Sequence, residues 1–425
     1  MLSHEDNEAL CRVGPGSLMG SLMREFWMPA LISRELPVAD GAPVRLRLLG
    51  ENLVAFRDTS GTVGVVDALC PHRRAGLFFG RNEDHGLRCV YHGWKFDVTG
   101  RCTDLPTEPS DNGMSDRIKI KAYPTRERGG VVWVYMGAKA VPPELPDFEW
   151  ARVPDAQRTL TKRVQYTNWA QAVEGGIDSA HVSHLHSHRT KATTGVNFQD
   201  TAEAWKYLEM DKHPVFEVDE AETGLLIKAR RNADDHYYWR VTQFLLPFYT
   251  LTPPTVDPRD SEDAQYYGHA WVPIDDETTW TWTYHADPKR AFTPGARELF
   301  EGENGFWGPI DQDCRPLLSM QNNFSIDREK QRNESYSGID GIQNQDAAVQ
   351  ESMGAIVDRT EEHLGHSDLA VIRFRRLLLK LAREFATRGS IDAPVAAAAF
   401  NKRPLTVLLP KQIDVSQMSN CLVAQ

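Results

Sequence analysis

Cys70-Pro71-His72-Arg73 and Cys89-Val90-Tyr91-His92-Gly93-Trp94 decide the fold of the first part of this 425-residue chain. Each segment offers one cysteine and one histidine, as Cys-x-His and then Cys-x-x-His, with sixteen residues between His72 and Cys89. Two thiolates and two imidazoles also suit zinc, but zinc fingers usually draw both thiolates from one knuckle and both histidines from a helix. Here every segment carries one of each. That division suits a two-iron, two-sulfide cluster in which one iron takes Cys70 and Cys89 and the other takes His72 and His92. Neutral imidazoles in place of thiolates raise the reduction potential well above that of a plant-type ferredoxin. Two core cysteines and two core histidines at these spacings would need four coincidences.

Working outward, the period of the sequence is two. Val44, Leu46 and Leu48 alternate with Arg45, Arg47 and Leu49, Gly50-Glu51-Asn52 supplies a turn, and Leu53 to Arg57 runs back. Val63 to Leu69, the region of Leu87 to Val90, Ile118 to Tyr123 and Gly130 to Met136 read as further strands. The result is a small all-β module over about 38–140, with the metal-ligand segments in its loops. Residues 1–35 read as helical turns and loops. The proline-rich Pro142-Pro143-Glu144-Leu145-Pro146 marks a boundary, so that 1–150 and 151–425 form two domains.

Length and composition bound the rest. The chain is long enough for two cores. A formal net charge of −11 argues against nucleic acid and against an anionic membrane surface, since both need a basic face. No run of about 18 apolar residues exists to span a bilayer. The acidic start Met1-Leu2-Ser3-His4-Glu5-Asp6 lacks the basic and apolar regions of a signal peptide. Six cysteines are too few for a disulfide scaffold, so Cys11, Cys102, Cys314 and Cys421 read as free thiols in a reducing cytoplasm.

Beyond the boundary the pattern mixes. Residues 164–187 look helical despite the Gly175-Gly176 pair. Alternating segments at 213–218, 224–231, 236–247, 265–272 and 279–284 predict an antiparallel sheet, and helices return near 344–363 and over Ser367–Ala386. The polar stretches 187–200 and 326–343 read as long loops. His181, His184, His186 and His188 crowd the end of the first helical stretch, beside Asp178. Two imidazoles and one carboxylate with open positions left over form the facial triad of non-haem Fe(II). His181 and His186 stand five apart, roughly 140° round an ideal helix, so they share a metal only if the helix ends or distorts between them.

The CPHR…CVYHGW pair followed by Asn168, Glu174, Asp178, His181 and His186 resembles the oxygenase (alpha) subunits of Rieske non-haem iron ring-hydroxylating oxygenases, over nearly the whole chain. The stretch Gln345-Asp346-Ala347-Ala348-Val349-Gln350-Glu351-Ser352-Met353-Gly354 with Asp358-Arg359 is similar to the phthalate-dioxygenase-like branch. The resemblance implies an α+β chain: an all-β Rieske [2Fe–2S] domain, then a catalytic domain of antiparallel sheet flanked by helices, of the helix-grip type. It implies mononuclear Fe(II) held by His181, His186 and a carboxylate far downstream. Asp346 matches that carboxylate best, ahead of Asp311 and Asp313, which suit loop solvation or helix capping. Glu351 and Asp358 read as structural, for example as ion pairs with Arg359. Asp178 and Asn168 are the candidate catalytic residues. Asp178 matches the carboxylate that bridges the cluster of one subunit to the iron of the next, and its i, i+3 spacing to His181 lets it orient that imidazole.

The implied function is that of a terminal oxygenase, forming a homotrimer of one chain type. An NAD(P)H-dependent flavin and iron–sulfur reductase feeds electrons to the cluster, and O₂ oxidises a small aromatic substrate by hydroxylation, dihydroxylation or O-demethylation. An aromatic carboxylate needs a buried cation, and among Lys228, Arg230, Arg231 and Arg240 the apolar strand around Tyr238-Trp239-Arg240-Val241 favours Arg240. The adjacent Arg230 and Arg231 must point to opposite faces of a strand. The competing function is a Rieske electron-transfer protein without oxygenase activity, for which a second metal site would be useless. A colourless zinc-stabilised interaction protein is the third.

Overall fold

A computed structural model describes residues 1–109, 113–187, 202–254, 265–302, 305–391 and 396–424. The chain divides into two compact units: Val13–Leu145, and Met1–Arg12 together with Pro146–Gln425. The boundary lies close to residue 150, but the first twelve residues belong with the second unit. The helix His4–Cys11 is tied there by Asn7, whose Nδ2 donates to Val357 O at 2.9 Å and whose Oδ1 accepts from Arg359 at 2.9 Å.

Eleven strands order the first unit's described residues: β1 Trp27–Ile32, β2 Val44–Leu48, β3 Glu51–Arg57, β4 Val63–Asp67, β5 Arg81–Glu83, β6 Gly86–Arg88, β7 Lys95–Phe96, β8 Cys102–Asp104, β9 Ala122–Tyr123, β10 Thr125–Arg128 and β11 Val131–Tyr135. They form antiparallel sheets in the orders β1-β11-β10, β2-β3-β4-β9 and β5-β6-β7-β8. Helices do form at His4–Cys11 and Leu18–Met23, but β1 replaces part of the helical start expected over 1–35. All six of its residues are buried, so its sequence carries no helical period. The core packs Val54, Phe56, Val66, Leu87, Trp94 and Phe96 around Cys70 and Cys89.

The second unit is built on β12 Arg158–Gln165, β13 Val215–Ala221, β14 Gly224–Ala233, β15 His236–Leu245, β16 Tyr249–Thr252, β17 Tyr266–Pro273, β18 Thr279–Ala286 and β19 Leu405–Pro410. Their order is β12-β18-β17-β16-β15-β14-β13, with β19 paired to the first half of β15, and every pairing is antiparallel. The sequence reading missed β12, β16 and β19. The helix Trp169–Ile177 lies against β16 and β17 and packs on two further helices, Ile342–Ser352 and Leu369–Arg388. The glycine pair makes this approach possible: a Cβ on Gly176 would stand 2.0 Å from the Trp271 ring, and one on Gly175 2.2 Å from Gln350 Nε2. Ile342–Ser352 stops well short of 363 because Gly354 takes φ +89, a left-handed helix end that glycine adopts without strain. The polar stretch 326–343 contains a helical turn, Arg328–Asn333, capped by Asp327. No helix among the described residues is long and apolar enough to cross a membrane.

Candidate metal sites and substrate cavity

In the first unit, the segments after β4 and β6 form turns of one design. Cys70 N–H donates to Ala75 O at 2.8 Å and Arg74 N–H to Cys70 O at 2.9 Å; Cys89 N–H donates to Trp94 O at 2.8 Å and Gly93 N–H to Cys89 O at 2.9 Å. The fifth residue of each turn is left-handed, Arg74 at φ +60 and Gly93 at φ +79. Each turn thus presents a buried cysteine at its start and a histidine two or three residues on. The His72 and His92 rings lie 4.3 Å apart, and His72 stacks on Trp94 at 4.4 Å. Burial pushes the Cys70 thiol up to about 11, so a thiolate there calls for a cation. His72 Nδ1 is buried without a hydrogen-bond partner among the described residues. An orphaned imidazole nitrogen beside two buried thiols is what a cluster with two cysteine and two histidine ligands requires.

The second unit assembles the other donor set from two distant segments. The helix Trp169–Ile177 ends with Asp178 in extended conformation, and one short turn, Val182–Leu185, follows. His181 precedes this turn and His186 closes it at φ −98, ψ 4, which brings the two rings to 5.1 Å and resolves the five-residue spacing. Asp346 arrives on Ile342–Ser352, whose residues Gln343, Asp346 and Gln350 share one face toward the cavity. Asp346 Oδ1 lies 3.5 Å from His181 Nε2 and 3.4 Å from His186 Nε2, and ligand atoms of all three lie within 4.8 Å of one another.

Both imidazoles are oriented from behind. His181 Nδ1 stands 3.2 Å from Asp178 Oδ2, and Asp178 also accepts from the backbone N–H of Ala180 at 2.7 Å. Burial pushes the Asp178 carboxyl up, but these hydrogen bonds outweigh it and hold the group below its ordinary value. An ionised carboxylate only accepts, so Nδ1 carries the proton and Nε2 keeps its lone pair. His186 Nδ1 lies 2.7 Å from Gln345 Oε1, whose amide is fixed by Nε2 donating to Ile339 O at 2.8 Å. Arg231, fully buried, donates to Ser179 Oγ at 3.2 Å and to Ser179 O at 2.5 Å, pinning the turn that carries His181. Neither Gln345 nor Arg231 was foreseen in these roles. The one available signal was Gln345 standing next to Asp346.

Other candidates fall elsewhere. Asn168 is a correction: it caps the helix Trp169–Ile177 instead of facing the donors. Its Oδ1 accepts from Ala170 N–H at 3.0 Å, while Nδ2 donates to Cys11 O and Asp276 O at 3.0 and 2.7 Å. Arg359 pairs with Glu174, not with Glu351 or Asp358, and Arg375 grips the same carboxylate. Asp311 and Asp313 lie in a loop turn with Arg315. His184 is exposed, and His188, like most of the 187–200 stretch, lies outside the described residues. Arg230 covers the Tyr237 ring at 4.4 Å on the sheet face opposite Arg231.

Arg240 lines the same cavity as His181, His186 and Asp346. It is buried, donates to Pro253 O at 3.1 Å, has no carboxylate partner among the described residues, and leaves Nε unsatisfied. His269, on the cavity wall, is held down to about 4 by burial and is neutral.

Two family models match the chain: "Rieske [2Fe-2S] domain" over residues 26–124 and "LigXa C-terminal domain like" over 134–417. The phthalate 4,5-dioxygenase oxygenase subunit of Pseudomonas putida is 40% identical over 97% of this chain and 94% of its own length. This chain is a Rieske non-haem iron oxygenase subunit of the phthalate-dioxygenase-like branch. The oxygenase subunit of 3-chlorobenzoate-3,4-dioxygenase from Comamonas testosteroni is 39% identical over 96% of both chains. The structure of an NdmA variant from Pseudomonas putida CBB5 with theobromine shares the fold, with a TM-score of 0.60 at 19% identity over 90% of this chain and 95% of that one. The oxygenase carries a Rieske [2Fe–2S] cluster and a mononuclear non-haem iron, and the electron-carrier reading is overturned. The donors just described fit both groups.

Proposed function

We propose that His181, His186 and Asp346 hold the iron, that Cys70, Cys89, His72 and His92 hold the cluster, and that the oxygenase oxidises an aromatic carboxylate anchored by Arg240. When bound, these groups supply electron storage and O₂ activation. The chain's own residues do the rest. Asp178 and Gln345 hold the two imidazoles as Nδ1–H tautomers, so that both present Nε2 to one point. Asp178 is about a quarter exposed, which leaves part of its carboxylate open to the cluster histidine of a neighbouring subunit in a homotrimer. Tyr267 and Trp271 wall the cavity and keep water from the ring being oxidised. A cytoplasmic reductase drawing on NAD(P)H supplies the electrons. Such a site serves hydroxylation, dihydroxylation or O-demethylation of the ring it faces.

The observation that carries the substrate class is Arg240, a buried cation on the triad's cavity with no carboxylate partner among the described residues. A guanidinium fork matches a carboxylate, and a hydrogen bond to a charged group contributes about 1.5–3 kcal/mol. Arg240→Gln should therefore raise KM for aromatic acids roughly 10–100-fold, measured by substrate-dependent O₂ uptake, with a smaller effect on kcat. Equal turnover of acids and their neutral amides by the unaltered enzyme would sink the reading.

A further inference from the structure

The cavity of the three donors adjoins a second chamber, and the two share Trp205, Tyr267, Ile342 and Gln343. The second chamber is walled chiefly by rings, among them Phe300, Phe306 and Trp307. Phe300 and Phe306 lie nearly parallel at 5.7 Å. No lysine, arginine or carboxylate lines it among the described residues. His285 does, and the mechanism above makes no use of it. Its ring stacks with Phe300 at 3.9 Å and with Tyr267 at 5.6 Å, and its Nδ1 lies 3.2 Å from Thr159 Oγ1. That leaves Nε2, with no hydrogen-bond partner among the described residues, as the polar edge His285 offers to the chamber.

A single-ring acid anchored on Arg240 leaves this chamber unused. The geometry points to a second-ring subsite: the substrate is an aromatic acid whose far end is another flat ring bearing a neutral hydrogen-bonding group, read by His285 Nε2. This rests on Arg240 as the carboxylate's anchor. Flat rings suit the chamber because its walls offer stacked and edge-on faces. The distal group is a hydroxyl, ether or carbonyl. An anion there would lose its water with no cation among the described lining residues to pair with, and burial keeps His285 uncharged, its imidazole held down to about 3. A neutral imidazole donates or accepts but balances no charge.

Calorimetric titration of the anaerobic holoenzyme tests this with benzoate, biphenyl-3-carboxylate, its 4′-hydroxy derivative and biphenyl-3,4′-dicarboxylate. The second ring should tighten binding at least tenfold, since burying on the order of 100 Å² of apolar surface is worth more than that. The 4′-hydroxyl should add roughly a further fivefold, and the 4′-carboxylate should weaken binding. His285→Phe should keep the ring's gain and lose the hydroxyl's; His285→Gln should keep both. Benzoate binding as tightly as biphenyl-3-carboxylate would overturn the subsite, and so would a hydroxyl preference that survives His285→Phe. Arg240→Gln separates the two readings. It should weaken every acid alike, so an unchanged affinity removes the anchor while a persisting ring gain keeps the subsite.

Discussion

The turns proposed to hold the cluster and the donors proposed to hold the iron use histidine in opposite ways. In the first unit each cysteine–histidine pair lies within four residues, and the turn that presents it closes on its own backbone, Cys70 to Ala75 and Cys89 to Trp94. In the second unit Asp346 stands 160 residues beyond His186, and the imidazole of His186 takes its orientation from Gln345 on the same distant helix. The first site is written into a turn; the second is assembled by the packing of the helix Ile342–Ser352 against Trp169–Ile177. Substitutions at residues that touch no metal should therefore matter more in the second unit.

Asp178 is the sharpest place to break this contrast, because it is local to His181 and yet proposed to serve both regions. Asp178→Asn is nearly isosteric, so the variant should keep its iron content and its red-brown colour. The amide carries no charge and turns N–H₂ to one side, so one imidazole N–H loses its acceptor. Reoxidation of the reduced cluster on adding substrate and O₂ should slow roughly 100-fold or more, followed by stopped-flow absorbance. Rapid reoxidation would mean that Asp178 acts only on His181, and that another residue carries the electron path.

Gln345 tests the assembled site itself. Gln345→Leu removes the acceptor that fixes the His186 tautomer, and Fe(II) affinity should fall roughly 10–100-fold with the cluster's visible spectrum unchanged. Gln345→Glu, which still accepts from Nδ1–H, should restore most of that affinity. Unaltered iron binding in Gln345→Leu would show that packing alone orients His186, making the two sites more alike than the hydrogen bonds imply.

The same contrast explains what was legible in the sequence. The two turns that pair a cysteine with a histidine could be read from spacing because a turn needs no information from elsewhere in the chain. His181 and His186 were legible as a cluster of histidines, and Asp346 only through resemblance, since no local pattern links residues so far apart. Asn168 was misplaced for a related reason. An asparagine ahead of an apolar helix is also an N-cap, and its commitment to Cys11 and Asp276 depends on segments that no window around 168 contains. Strand β12 was missed because its polar sequence, Arg-Thr-Leu-Thr-Lys-Arg-Val-Gln, is buried through contacts from the rest of the fold. Gly175 and Gly176 read as helix weakeners until Gln350 and Trp271 showed what a side chain would strike.

Glu351 offers the smallest effect and the finest probe of the Ile342–Ser352 helix. It is buried, its Oε1 accepts from Tyr166 N–H at 3.1 Å, and no cation pairs with it among the described residues. Burial pushes its carboxyl up to about 6 from an ordinary 4.5, although the Tyr166 N–H pulls the other way. For an acid raised on folding, the folded state binds the proton more tightly than the unfolded one. Its contribution to stability is complete below about 4.5 and is lost as pH rises through about 6. Glu351→Gln keeps an acceptor for Tyr166 and removes the charge. Denaturant unfolding of the second unit should find the variant level with the parent at pH 4 and more stable at pH 8, by up to about 2 kcal/mol. Iron content should not change, because Glu351 lies outside the cavity that Asp346 and Gln350 line. A variant less stable at pH 8 would mean that Glu351 is ionised and paired in the native protein, and that this helix is held by a charge the local contacts do not reveal.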